Sequence, residues 1–357
     1  MPAQILHTLF GEDVIAALDS RIGRRFDIAR HRTAFVLGCQ GPDIFLHSQM
    51  RRPVALEYGT LLHRRGFGAF AAALLEAALP IAASQTASGT ALEHGISRHR
   101  NPLEAYALGF TTHAFLDREA HPYIVYKTAE PERRDIRTGR RHAFFERLLD
   151  VLMLRCLRGR PVSSWDQEAE LVAVCAAPPP ALKALLAETL IRTFPERAGK
   201  DSKLRSRIDN AFLDCAAFYR STDPRVTALD TFSPASGDRP SPPLALVYPE
   251  QFPLKADYLN LEHRPWCDPA PGGREDTRSF PEIYSDAVNK AADTLTPILT
   301  RYWETGVFPT AEAERSIGNG GLSIRDAAGK PCAPARAQAL PLEEVLAEQA
   351  ALRAERE

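Results

Sequence analysis

The sequence has little of several features that mark specialised classes of protein. Its six cysteines include no pair separated by two residues, so neither a disulfide framework nor a thiolate zinc site is indicated. Net charge is almost absent, at −1 from 44 basic and 45 acidic residues, so no global positive field would gather nucleic acid or anionic lipid. Any anionic ligand must therefore be met by a local group of residues.

The sequence also shows neither the pattern expected of a leader peptide nor that of a membrane span. The first 21 residues contain the acidic Glu12 and Asp13 and no basic segment before an apolar run, so we expect no signal peptide. The longest apolar stretch, residues 66–84, is mostly Ala and is interrupted by Glu76 and Pro80, which favours a buried bundle helix. We therefore expect a cytoplasmic location.

Helix signals dominate what is present. With 357 residues, 45% hydrophobic and 25% charged, the chain can bury a large core. Asn101 and Pro102 form a helix start with Glu104 positioned for a capping box, and this helix is expected to run to about His121, before Pro122. Further helices are predicted over residues 12–22, 59–79, 141–157, 168–175, 181–194, 204–219 and 280–303. The predicted fold class is an all-α, multi-helix bundle.

The remaining segments show weaker patterns. Residues 233–273 are rich in Pro, Gly and Asp and predict a long irregular segment, pinned onto the helices by its aromatic residues. These aromatic residues are Tyr248, Phe252, Tyr258 and Trp266. Residues 318–321 predict a tight turn beside a short strand, and residues 340–357 predict a helix that packs on the body or extends into solvent.

Histidine and carboxylate residues recur at a spacing typical of metal ligands. His113 and Asp117, Asp117 and His121, and His142 and Glu146 are each four residues apart. On a helix such residues share one face, with Cβ atoms about 5–6 Å apart, so two side chains can converge on one cation. Imidazole with carboxylate suits zinc, and Asp117 can use both oxygens to bridge neighbouring ions.

Chance explains one such pair easily, because the chain has ten histidines and 45 acidic residues. A single pair is typically a surface ion pair. Here two helices carry such pairs within 34 residues, in segments that are otherwise strongly apolar. A charge on the buried side of a helix is costly unless it is paired or bound to metal, so we favour a metal site.

Three further residues join this set with weaker individual signals. Asp43 follows a rigid Gly41-Pro42 turn, although such turns are common. His63 lies on a helix with one apolar side, where a lone histidine is usually a core residue. His7 stands near a helix start and has no informative spacing of its own.

Taken in order, these residues resemble the bacterial zinc-dependent phospholipase C family, which is all-helical and related to fungal zinc nucleases that cut single strands. The resemblance covers about residues 4–155, with a looser similarity from Tyr258 to the helix near Trp303. Its specific part is the string from Leu108 to Pro122. The residues that carry it are His7, Gly41-Pro42-Asp43, His63, Leu108-Gly109-Phe110, His113, Asp117, His121-Pro122, His142 and Glu146.

The resemblance implies a set of zinc ligands. One zinc would be held by Asp43, His63, His113 and Asp117, and a second by His121, His142 and Glu146. In the family a third zinc uses the N-terminal amine, a histidine near the start and the bridging aspartate, for which His7 and Asp117 are the counterparts. Relatives free a Trp amine by processing, whereas six residues precede His7 here, so two zinc ions are expected and the third stays open.

The chemistry implied is phosphate-ester hydrolysis. Two zinc ions would lower the pKa of a bridging water toward 7, so that hydroxide attacks the phosphodiester, with Asp43 or Asp117 accepting the proton. We expect a phospholipase C-like hydrolase acting on a phospholipid or another phosphodiester, with transient contact at a membrane surface as an option. The alternatives are a zinc-dependent nuclease or other phosphodiesterase, which the near-neutral charge disfavours, and a non-catalytic zinc-binding helical protein.

The resemblance also divides the chain. Residues 1–309 would form the all-helical phospholipase C-like domain, with the ligands within residues 7–146 and the irregular segment at about 233–273. Residues 310–357 find no counterpart in the family. We expect them to form a C-terminal extension with a short turn or strand and an Ala/Glu-rich helix.

Overall fold

The computed structural model describes residues 4–23, 26, 28–79, 101–130, 136–227, 244–249 and 256–355, and this part of the chain is all-helical apart from one short ribbon. The α-helices are α1 Gln4–Ile22, α2 Arg32–Cys39, α3 Asp43–Leu46, α4 Leu56–Arg64, α5 Phe67–Ala78, α6 Pro102–Thr128, α7 Ile136–Arg158, α8 Ala173–Ala176, α9 Pro180–Thr193, α10 Leu204–Ser221, α11 Pro224–Thr227, α12 Phe280–Thr305, α13 Thr310–Ile317 and α14 Leu342–Ala354. Short 3₁₀ turns cover Ile28–His31, Val162–Ser164 and Leu244–Leu246, and Glu168–Val172 is a π-helical turn before α8. Strands β1 Trp266–Cys267 and β2 Glu275–Asp276 pair antiparallel. The predicted all-α class is confirmed.

Helix α6 lies at the centre of the bundle, in contact with α1, α2, α5, α7 and α12. Its start follows the sequence signal, since the Asn101 side chain accepts a hydrogen bond from the Leu103 N–H and Pro102 occupies the first turn. Almost all of its residues are buried, including the polar ones in the middle. The residues with the spacing typical of metal ligands therefore lie on a helix that other helices enclose on several sides.

Two glycines let α2 and α6 approach backbone to backbone. A Cβ on Gly38 would lie 2.9 Å from the Tyr106 carbonyl carbon, and one on Gly109 would lie 2.9 Å from the Cys39 nitrogen. Because no side chain separates the two helices here, the turn that follows α2 is brought against the middle of α6. That turn leads into Asp43 at the start of α3.

The predicted end of α6 at about His121 is wrong, because the helix continues through Pro122 to Thr128. A proline inside a helix removes one backbone hydrogen bond and costs about 3 kcal/mol or more. Tyr123 and Ile124, which follow it, are fully buried, and the carbonyls of Tyr126 and Lys127 accept N–H bonds from residues 338 and 340. Burial and these distant contacts outweigh the proline.

Other predicted boundaries also change. The segment 12–22 is the second half of α1, whose first half is buried on nearly every side and so lacks amphipathic periodicity. The single helix predicted over 59–79 is two helices, α4 and α5, separated at Gly66, which has a positive φ of 76°. Helix α7 begins several residues earlier than predicted. The helices expected over 181–194, 204–219 and 280–303 match α9, α10 and α12 closely.

The irregular segment packs onto the bundle through aromatic side chains in its described part. Tyr248, Tyr258 and Trp266 are buried. The Tyr123 hydroxyl donates to the Tyr258 carbonyl at 2.8 Å, and the Trp266 ring lies edge-on to Tyr123 with centroids 5.3 Å apart. Residues 228–243 and 250–255, with Phe252, lie outside the described residues.

Residues beyond 309 pack against α5 and also contact helices that carry predicted ligands. Helix α13 lies against α5, and the Leu322 N–H donates to the His63 carbonyl at 2.9 Å. A turn forms at residues 318–321, but the predicted strand is reduced to an isolated bridge between Arg325 and Pro331. Leu342, Val345 and Leu346 bury one side of α14, so the tail helix packs on the body.

Among the described residues, no single helix combines the length and the apolar character needed to cross a membrane. The bent pair formed by Glu168–Ala176 and Pro180–Thr193 meets that test by length and composition alone.

Candidate metal centre

Asp117 stands at the centre of a group of buried imidazoles. Its side chain is 0% exposed. The Oδ2 atom lies 3.2 Å from His113 Nε2 and 3.8 Å from His63 Nε2, and the Oδ1 atom lies 3.4 Å from His7 Nε2 and 3.6 Å from His121 Nδ1. Within the described residues, neither carboxylate oxygen receives a hydrogen bond of acceptable geometry. Oδ2 thus faces His63 and His113, whereas Oδ1 faces His7 and His121.

The first group consists of Asp43, His63 and His113, whose ligand atoms all lie within 4.8 Å of one another. His63 Nε2 is 3.0 Å and His113 Nε2 is 3.8 Å from Asp43 Oδ1. Gly41 makes this approach possible: it has a φ of 55°, and a Cβ there would lie 2.7 Å from His113 Nδ1. The Gly-Pro-Asp turn therefore serves both Asp43 and the neighbouring His113.

Backbone carbonyls fix the ring orientation in this group. His113 Nδ1 donates to the Cys39 carbonyl at 3.1 Å, and His63 Nδ1 donates to the Gly59 carbonyl at 2.8 Å. Because a carbonyl only accepts, the proton of each neutral ring is on Nδ1 and the Nε2 lone pair points toward the carboxylates. Lone pairs and anionic oxygens that face one another at these distances need a cation between them.

The second group consists of His121, His142 and Glu146, also within 4.8 Å of one another. His142 Nε2 lies 2.9 Å and His121 Nε2 lies 3.9 Å from Glu146 Oε1. His121 Nδ1 donates to the Asp117 carbonyl at 2.9 Å, and His142 Nδ1 lies 3.4 Å from the Thr128 hydroxyl. The side chain of His142 is 26% exposed, so this group reaches the surface.

The third group adds His7 to His113 and Asp117. The rings of His7 and His113 stack with centroids 4.0 Å apart. Both ring nitrogens of His7 are buried, and neither has a hydrogen-bond partner in the part of the chain that the structure describes. A buried histidine with both nitrogens unsatisfied is costly, which marks this position for an additional ligand.

The carboxylates of the centre are held in their charged form. Burial by itself would raise the pKa of Asp117, but the His113 and His121 imidazoles outweigh it and hold that pKa well below its usual range. At Asp43 burial is likewise outweighed by His113, followed by His63, and the pKa is lowered. Charged carboxylates are the form that binds a metal cation.

The imidazoles divide into two kinds. Burial lowers the pKa of His121 to about 3, and burial together with His113 lowers the pKa of His7. At His113 the carboxylates of Asp117 and Asp43 outweigh burial and raise the pKa. The neutral rings are ready ligands, whereas zinc at His113 would compete with a proton.

The structure brings together all of the residues predicted as metal ligands, on α1, α3, α4, α6 and α7. Their nitrogen and carboxylate oxygen donors, many of them unsatisfied, suit zinc. These residues are His7, Asp43, His63, His113, Asp117, His121, His142 and Glu146. The donor set fits the metal that the resemblance implies.

Sequence reasoning missed the residues that position the ligands. Thr128 lies about two turns beyond the expected end of α6, so its contact with His142 could not be anticipated. Asp150 is fully buried on α7 and accepts hydrogen bonds from the N–H groups of Ile5 and Leu6 at 3.0 and 2.9 Å and from the Tyr248 hydroxyl at 2.9 Å. This contact anchors α1 immediately before His7. The sequence signal for this contact was the presence of a carboxylate, Asp150, on the apolar face of α7.

Comparison with known proteins agrees with this arrangement. A family model described as zinc dependent phospholipase C matches residues 6–201, more than half of the chain and a range that contains every residue of the three groups. Neither a curated protein nor a solved structure matches the chain. On the strength of the family match, the chain belongs to the zinc-dependent phospholipase C family.

Proposed function

We propose that the protein hydrolyses a phosphodiester of a phospholipid on its diacylglycerol side, as a zinc-dependent phospholipase C-like enzyme. Asp43, His63, His113 and Asp117 would hold one zinc ion, and His121, His142 and Glu146 a second. His7 with Asp117 offers part of a third site. The observation that carries the proposal is Asp117: its buried Oδ2 faces His113, its buried Oδ1 faces His7, and neither oxygen receives a hydrogen bond from the described residues.

The chain's own residues divide the work of such a reaction. Zinc, when bound, supplies a Lewis acid that lowers the pKa of a water toward 7 and offsets charge on the phosphoryl oxygens. Asp43 is the better proton acceptor, because its side chain is 7% exposed whereas both Asp117 oxygens are enclosed by imidazoles. The carbonyls of Cys39 and Gly59 keep the His113 and His63 rings in their tautomers, so these rings need no rearrangement during turnover.

A structural role for the metal is the weaker reading of this geometry. Structural zinc sites are closed by four protein ligands, whereas the group of His121, His142 and Glu146 supplies three. The partial exposure of His142 leaves that group accessible to water and substrate. We therefore favour a catalytic centre, with a phospholipid as substrate and contact with a membrane surface during turnover.

We further propose that residues 1–309 form the catalytic domain and that residues 310–357 are a C-terminal extension packed on it. The contacts of α13 with α5 and of Leu322 with the His63 carbonyl support an extension that adds to the domain surface. The ligands all lie in the first part of this domain.

Paired substrates test the proposed reaction. Protein with measured zinc content would be incubated with mixed micelles of a phospholipid and, separately, with single-stranded DNA or RNA. Release of a phosphorylated headgroup together with diacylglycerol, abolished by a chelator and restored by zinc, is expected. Nucleotide release without headgroup release would favour the nuclease, and full zinc occupancy with neither product would favour a non-catalytic zinc protein.

A further inference from the structure

A cavity lies between the bundle and the C-terminal extension. It has a volume of about 240 Å³ and is lined by α6, α12, the end of α13 and the turn that follows it. Arg118 enters it from α6 and Arg325 from the extension, on either side of the turn at residues 318–320. The cavity is not part of the metal centre, because none of the predicted ligands lines it.

Arg118 is a mostly buried cation that makes no carboxylate pair within the described residues. Its guanidinium donates to the carbonyls of Ile317, Gly318 and Gly320 at 2.5, 2.8 and 3.3 Å, and its Nε–H has no partner there. These neutral carbonyls hold the guanidinium in place and leave its charge uncompensated. A buried charge without a counter-ion is costly, so an unpaired arginine of this kind calls for an anion.

The surroundings of Arg118 increase this excess of positive charge. Arg325 lines the same cavity, so two guanidinium groups of like charge face it and repel one another. Within the described residues Arg325 has no ion pair, and Lys290 at the cavity edge is already paired with Glu119 at 2.5 Å. The carboxylate of Asp117, one residue from Arg118, faces the histidines of the metal centre. The cavity thus holds two cationic groups in excess.

The cavity also has the size and the hydroxyl groups that an oxyanion needs. At about 30 Å³ per molecule of liquid water, its volume holds a phosphate group together with several waters. Thr294 and Ser316, which carry hydroxyls, are among the residues that line it. Guanidinium groups bind phosphate oxygens through paired N–H donors, and two of them match a doubly charged oxyanion better than a carboxylate.

We propose that Arg118 and Arg325 form a binding site for a phosphate dianion, either free or as a phosphate monoester, separate from the metal centre. Binding there would neutralise the two guanidinium groups and tie the extension to the helix that carries Asp117. This site does not depend on the reaction proposed above. Soluble phosphate and the headgroup of a monoester lipid share this chemistry, and the test distinguishes them.

Calorimetric titration of the zinc-loaded protein with inorganic phosphate tests the proposal. Three proteins would be compared: the unaltered chain, Arg325→Ala, and the matched control Arg336→Ala, which removes an exposed arginine of the same segment outside the cavity. Any phosphate that binds at the zinc ions contributes equally to all three. We expect one class of sites to weaken about tenfold or more in Arg325→Ala only. Identical isotherms for the three proteins would overturn the proposal.

A second set of measurements guards against a misfolded variant and identifies the source of the ligand. Circular dichroism and zinc content would establish that Arg325→Ala is folded, and a crystal of the unaltered protein soaked in selenate would show an anomalous signal between Arg118 and Arg325. A signal only at the metal centre would contradict the site. Vesicles containing phosphatidic acid form a parallel arm: Arg325-dependent binding to vesicles but not to phosphate assigns the site to a lipid headgroup, and the reverse to a soluble phosphate.

Discussion

His113 Nε2 lies 3.2 Å from Asp117 Oδ2, one helical turn further along α6, while His113 Nδ1 donates to the carbonyl of Cys39. In the neutral ring this arrangement sets a nitrogen lone pair against an anionic oxygen. A second proton or a metal ion relieves the repulsion, and the neighbouring lone pairs of His63 and His7 favour the metal ion. The spacing of four residues therefore creates a local repulsion between His113 and Asp117, which the distance between their atoms shows.

Replacing Asp117 with Asn should lower bound zinc and remove most activity. The amide offers a neutral oxygen in place of a carboxylate, so the ion site to which Asp117 contributes weakens together with the partial site at His7. We expect activity on a phosphodiester substrate to fall by at least about 100-fold, or roughly 2.7 kcal/mol in the barrier. Zinc per chain, measured by mass spectrometry, should fall in parallel. The control Asp209→Asn alters an exposed carboxylate on α10 paired with Lys183 and should change neither quantity.

Replacing Thr128 with Val should weaken zinc binding without removing a ligand. The Thr128 hydroxyl donates to the Ile124 carbonyl at 2.7 Å, so toward His142 Nδ1 it acts as the acceptor that orients the ring. Loss of such a partner typically costs 10–100-fold in metal affinity. Competition with a zinc chelator measures this change. Thr60→Val, which removes an exposed hydroxyl from α4, is the matched control, and equal affinities in the two variants would refute the orienting role.

Replacing Gly41 with Ala should disturb the metal centre more than backbone strain alone explains. At a positive φ an alanine costs about 1–2 kcal/mol, and here its Cβ would also lie 2.7 Å from His113 Nδ1. Gly272→Ala has the same strain at a φ of 75° with no atom within 4 Å of the added Cβ. Thermal melts and zinc content of the two variants separate the effects. We expect both to melt lower and only Gly41→Ala to lose zinc.

Asp150 should give the fold a pH dependence below neutrality. Burial raises its pKa to about 7, whereas an unfolded chain would have a value near 3.8. The folded state therefore binds the proton more tightly, and the free energy of unfolding should fall as pH rises from about 4 to about 7, by up to about 1.4 kcal/mol per pH unit. Denaturant melts of the protein and of Asp150→Asn across this range measure the slope. A slope unchanged by the substitution would contradict this assignment.

The ligand-bearing residues were predictable because their signal is local. A spacing of four residues on one helix places His113, Asp117 and His121 on one face whatever the rest of the fold does. The all-helical class follows similarly from periodicity, caps and the near absence of alternating segments. Such local signals can be read from the sequence without knowledge of tertiary contacts.

What could not be predicted depends on contacts between distant parts of the chain. The continuation of α6 beyond Pro122 requires the burial of Tyr123 and Ile124 by other elements. The stacking of His7 on His113 requires α1 to be anchored by Asp150, more than 140 residues away. Hydrophobic periodicity does not predict such contacts, because they depend on how distant parts of the chain pack together.

The contact between the extension and α5 has a consequence for the order of folding. The first N–H groups of α5 donate to the carbonyls of Gly318 and Asn319 and to the Asn319 side chain, some 250 residues later in the chain. During synthesis this helix end emerges long before its acceptors exist, so its three donors stay hydrated until residues 318 and 319 have also been synthesised. Closing so large a loop is slow, and the region beside His63 should be among the last to become protected against hydrogen exchange.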